Sequence, residues 1–74
     1  MPATPERLPY PVTLIAFDYG RRRIGAAVGQ EVTASASAVG TAKNSGDGPD
    51  WKTIDAWIRE WQPQLLVVGL PYSA

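Results

Sequence analysis

A carboxylate at the end of an apolar strand is the feature that most restricts what this chain can become. The stretch Leu14-Ile-Ala-Phe-Asp-Tyr-Gly-Arg-Arg-Arg-Ile-Gly-Ala-Ala-Val-Gly29 opens with one apolar run, Leu14 to Phe17, and closes with another, Ile24 to Val28. Between them lie Asp18, Tyr19, Gly20 and the arginines Arg21, Arg22 and Arg23. Two runs of β-formers around a short glycine-containing turn predict an antiparallel hairpin. Asp18 then ends the first strand. A lone carboxylate there is costly to bury unless something pairs with it. The three arginines are near in sequence, and a divalent metal is the other obvious partner.

Composition narrows the chemistry. The chain has 74 residues and neither Cys nor His. It holds one small domain at most, and a domain of that size buries only roughly 60 % of its unfolded surface. Disulfides, thiolates, an imidazole base and the usual zinc sites are excluded. Any catalysis would rest on carboxylates. Seven basic residues balance seven acidic ones, so net charge says nothing about partners. The local cluster at 21–23 does. No apolar run approaches the roughly 20 residues that span a membrane. The opening Met1-Pro-Ala-Thr-Pro-Glu6 also lacks a basic start and an apolar signal core. A cytoplasmic protein with no membrane partner is the expectation.

Residues 1–11 carry Pro2, Pro5, Pro9 and Pro11, which predicts an extended or disordered leader. Strand one is expected over Thr13–Asp18, apolar on both faces, as a central strand covered on both sides would be. Strand two is expected over Ile24–Gln30. Ile24, Ala26 and Val28 share one face, and Gly25, Ala27 and Gly29 leave the other nearly bare. A bare face admits a helix or a ligand close to the backbone, with helix packing the favoured occupant. The alternation Ala34-Ser-Ala-Ser-Ala-Val39 predicts a half-buried third strand. Asn44-Ser-Gly-Asp-Gly-Pro49 reads as a loop.

Asp50–Gln62 predicts a helix. Trp51, Ile54, Ile58 and Trp61 form an apolar stripe with Trp57 beside it, so the tryptophans read as core rather than as base-stacking residues. Trp57 is expected to be the partly exposed one. Asp50 suits an N-cap, and Pro63 stops the helix. Leu65-Leu-Val-Val-Gly69 is a continuous apolar run, the signature of a strand buried on both faces. A helix followed by such a strand implies a crossover to a parallel partner, here strand one. The order β-β-β-α-β, a meander and then a crossover, is the first part of a ribonuclease H-like α/β fold. In open α/β sheets ligands gather at the carboxyl ends of the strands. Asp18 is at such an end. Asp47, Asp50 and Asp55 are expected at the far end of the crossover, away from it.

Phe17-Asp-Tyr-Gly20, Arg22-Arg-Ile-Gly25 and Ala27-Val-Gly-Gln30 resemble the opening of the YqgF family of RuvX-like proteins. The resemblance continues through Pro49-Asp-Trp51, Glu60-Trp-Gln-Pro63 and Val67-Val-Gly-Leu-Pro71. It covers nearly everything after residue 12. Members are described as Holliday-junction resolvases or pre-16S rRNA nucleases. The resemblance implies a metal-dependent endonuclease acting on the 5′ end of pre-16S rRNA in ribosome biogenesis, with Mg²⁺ or Mn²⁺ as cofactor. It implies that Asp18 is the first-strand catalytic carboxylate and a metal ligand, that Gly20 allows a tight turn, and that Arg22 and Arg23 contact nucleic acid.

Family members continue well past this chain's last residue and carry their other carboxylates there. Residues 12–74 are accordingly expected to be the N-terminal half of a ribonuclease H-like nuclease domain, without the C-terminal half and inactive alone. The partner would be pre-rRNA or another structured or branched nucleic acid. Self-association through the exposed sheet is also expected. Two other readings stand beside this one. The first is a nucleotide-binding half-domain of the actin, chaperone and sugar-kinase type, whose hairpins usually carry small polar residues where Arg21-Arg-Arg23 stands. The second is a non-catalytic module that binds RNA or a protein partner.

Overall fold

The computed structural model describes residues 11–70. The segment 1–11 and the tail after Leu70 therefore lie, apart from Pro11, outside the described residues. Strand β1 spans Thr13–Tyr19 and β2 spans Arg23–Gln30. They pair antiparallel, from Thr13 opposite Gln30 to Tyr19 opposite Ile24. A single 3₁₀ turn, Glu31–Thr33, leads into β3, Ser35–Ser45. Strand β4 is the two residues Gly48–Pro49, helix α1 is Trp51–Trp61, and β5 is Leu65–Gly69. The result is an α/β arrangement with one mixed sheet in the order β4-β3-β2-β1-β5. The crossover through α1 brings β5 parallel to β1, with Leu14 beside Leu65 and Asp18 beside Gly69.

The sheet has two unlike faces. Ile15 and Phe17 of β1, Ile24, Ala26 and Val28 of β2, Ala42 of β3 and Ile54 of α1 form the buried cluster. Tyr19, Val39, Trp57, Ile58 and Trp61 pack around it. The helix is held at both ends. The Asp50 carboxylate accepts from the Thr53 amide and hydroxyl. Gln62 turns left-handed at φ 44° and returns its amide to the Ile58 carbonyl, which ends the helix just before Pro63. The opposite face carries Leu14, Ala16 and Asp18 beside Gly25, Ala27 and Gly29, and no described helix lies on it.

Several expectations change. The third strand is longer than Ala34–Val39 and is mostly exposed, with its buried residue at Ala42. A bulge explains the failed alternation. Pairing steps from Gly40 opposite Ala26 to Ala38 opposite Ala27, so Val39 is an extra residue that packs on the core. The loop 44–49 is a small hairpin: Asn44 pairs with Pro49 and Ser45 with Gly48, and Gly48 supplies a φ of 104°. Trp51, not Trp57, is the exposed tryptophan, at 67 %. Trp51 stands at the first helical turn, over the sheet margin with Leu66 and Leu70, whereas Trp57 lies against the bare backbone of Gly40. Finally, β5 is an edge strand with all five residues exposed, because the one helix among the described residues is centred on the inner strands.

Candidate nucleic-acid interface at the carboxyl end of the sheet

The hairpin turn is tied down from two sides. The Gly20 amide donates to the Arg23 carbonyl at 2.9 Å. A Cβ on Gly20 would stand 2.7 Å from that same carbonyl oxygen, too close for any other residue without a backbone shift. The second tie comes from Asn44, 24 residues away. Its Nδ2 donates to the Gly20 carbonyl at 2.7 Å, and its amide donates to the Arg22 carbonyl at 2.8 Å. Asn44 thus fastens β3 to the turn that presents Arg21, Arg22 and Arg23. All three arginines are exposed, and among the described residues none has an ion-pair partner. Nothing in the sequence marks Asn44 for this role, since it reads simply as the first residue of a polar loop.

Asp18 is exposed at the end of β1. It lies opposite Gly25 on one side and beside Gly69 on the other. Neither glycine has a side chain to crowd it, and together with Ala16, Ala27 and Val67 they line an open groove that Asp18 closes at one end. Arg23 is two residues from Gly25 along β2, so it shares this face. Its cross-strand neighbour there is Lys43 of β3. Carboxylate, arginine and lysine therefore stand at one end of the open face, in a surface that admits close approach.

The other carboxylates are not where the sequence suggested. Because β3 runs toward the Asp18 end of the sheet, α1 begins there, and the Asp50 amide donates to the Lys43 carbonyl at 2.9 Å. Asp50 is thus at the near end, but its carboxylate is engaged by Thr53, whose hydrogen bonds hold its pKa below the ordinary 3.8. Asp55 pairs with Arg59 at 2.9 Å along the helix. Asp47 lies in the turn between β3 and β4. Among the described residues, no three Asp, Glu, His or Cys side chains cluster closely enough to hold a metal. A two-metal site needs several carboxylates around both ions, and Asp18 alone does not make one. No described helix is long and apolar enough to cross a membrane.

The chain is similar to known proteins over most of its described length. The protein from Serratia proteamaculans named "Putative pre-16S rRNA nuclease" is 54 % identical over 61 residues, covering 82 % of this chain and 44 % of that protein. One of the same name from Edwardsiella ictaluri is 52 % identical over 63 residues, covering 85 % of this chain and 45 % of that protein. A third, from Yersinia pestis strain Pestoides F, is 51 % identical over 61 residues. The chain therefore spans less than half the length of these relatives. The family model described as "RuvX: Holliday junction resolvase" matches residues 12–74, and the chain belongs to that family.

Proposed function

We propose that this chain carries the substrate-phosphate surface and one carboxylate of an endonuclease that processes the 5′ end of pre-16S rRNA. The scaffold is read as the opening β-β-β-α-β part of a ribonuclease H-like domain. The observation that carries the proposal is the placement of Asp18 and the arginine turn at one end of a groove floored by Gly25 and Gly69. A phosphodiester backbone laid across that end meets cations on the turn and a carboxylate beside them. Arg22 and Arg23 position the strand by its phosphates, which is sequence-independent work. Asp18 supplies an acidic group to the reaction and one ligand toward Mg²⁺ or Mn²⁺. The reported relatives are nucleases by name, which favours this reading over a nucleotide-binding half-domain.

The test is a hybrid in which residues 12–70 replace the matched segment of the Serratia proteamaculans relative. The hybrid is expected to cut a pre-16S 5′ leader RNA with Mg²⁺ or Mn²⁺. Asp18→Asn should lower the rate by orders of magnitude while folding and RNA binding persist. The 74-residue chain alone should bind the RNA without cutting it. Undiminished cleavage by the Asn variant would remove Asp18 from the chemistry. A folded hybrid that neither binds nor cuts would overturn the whole reading.

A further inference from the structure

We infer that Lys43 is a phosphate-contacting residue, working with Arg23 as an opposed pair of cations on the Asp18 face. The inference rests on the nucleic-acid reading above and extends it to a third strand. Lys43 lies directly across the β2–β3 ladder from Arg23. Directly opposed residues of an antiparallel pair have Cβ atoms only about 4.5–5.5 Å apart, and like charges so placed repel. No ion pair among the described residues offsets that repulsion. Both side chains are exposed, and neither has an ion-pair partner among the described residues. Asp18 lies opposite Gly25, two residues along β2 from Arg23, and makes no ion pair with Arg23 or Lys43. Asp50 meets Lys43 through its backbone amide, while its carboxylate is occupied by Thr53.

The backbone nonetheless holds the two cations in register. The Asn44 amide binds the Arg22 carbonyl on one side of Lys43, and the Lys43 carbonyl receives the Asp50 amide on the other. The pair cannot separate without breaking those bonds. A fixed, unneutralised pair of cations beside a groove is a site for an anion that bridges them. A phosphate does this, and successive phosphates of one strand would run from the arginine turn across Arg23 and Lys43.

The experiment measures binding of the 74-residue chain to a structured pre-16S leader RNA over a salt series, without divalent ions. Lys43→Gln should lower the slope of log affinity against log salt by about one unit, the amount expected for one lost phosphate contact, with affinity lower for all sequences alike. Lys43→Arg should restore the slope. Lys52→Gln, which removes a charge from the exposed side of the helix, should leave it unchanged. Melting gives a second readout. With the repulsion gone, Lys43→Gln should raise the low-salt Tm by about 1–4 °C, and the gain should fade in high salt. An unchanged slope for Lys43→Gln, or an equal fall for Lys52→Gln, overturns the role of Lys43 while leaving the arginine turn in place. A wild-type chain that binds no RNA at low salt overturns both this inference and the reading it extends.

Discussion

The two faces of the sheet differ in kind. One is covered by α1 and holds every buried side chain among the described residues, from Ile15 to Ile54. The other is floored by glycine and alanine and carries Asp18, Arg23 and Lys43 at one end. The first face is built for apolar contact, the second for close approach to backbone. The strands are the same strands. The difference comes from which residue of each alternating pair is large, and on the proposed reading it divides stability from recognition within a single layer. Substitutions at alternate positions should therefore have opposite consequences, and that is where the contrast can be broken.

The largest effect is expected at Ile54, the one fully helix-borne member of the buried cluster. Ile54→Ala should cost about 2–5 kcal/mol, enough to abolish a cooperative thermal transition in a chain this small. A sharp melt near the wild-type temperature would show that α1 is not what holds the covered face. A smaller loss is expected at the cap. Asp50→Ala should lower Tm by several degrees, with the difference present from weakly acidic pH upward. The sign follows from its pKa, which is lower in the folded chain than the ordinary 3.8. That contribution is present above the unfolded value and is lost as pH falls through the folded value. The two proteins should therefore converge in strong acid. If they still differ there, the carboxylate is not the source.

The smallest effect is expected on the open face. A Cβ at Gly25 would meet only the Asp18 Cβ, at an ordinary 3.9 Å. Gly25→Ala should leave dilute-solution stability within about 0.5 kcal/mol, as for surface changes generally. Repeating the melt at increasing protein concentration sharpens the point. If a second copy covers this face, the substitution becomes costly as concentration rises, and sedimentation will show the associated species. The exposed edge strand β5, with Leu65, Leu66, Val67 and Val68 all open, gives such association a ready template.

Much of this division can be read from the residues. Ile24, Ala26 and Val28 alternate cleanly with Gly25, Ala27 and Gly29, so both faces of β2 are legible. The helix is legible because its stripe, its Asp50 cap and its Pro63 stop agree with one another. What escapes the sequence is what depends on distant partners. β5 reads as doubly buried, yet burial belongs to whatever lies over a strand, not to the strand itself. β3 is illegible because its small residues carry no strong period and a bulge at Val39 breaks the little there is. Asp18 could be singled out from its position, and the arginines from their clustering. Lys43 could not, because only the register of β2 against β3 sets it opposite Arg23. Asn44 could not either, because its side-chain partner Gly20 is 24 residues away.

The Asn44 tie has a consequence for how the arginine turn would meet the phosphates proposed for it. A free two-strand hairpin tip would sample many orientations, and a bound phosphate would have to arrest each of them. Here the tip is fastened at both Gly20 and Arg22 to a third strand before any ligand arrives. The ordering entropy is spent during folding, when the β2–β3 ladder closes, and is not charged again at the moment of encounter. On the proposed reading, the basic end of the sheet would meet an incoming strand as a rigid pattern of charge, with only the arginine and lysine side chains left to settle.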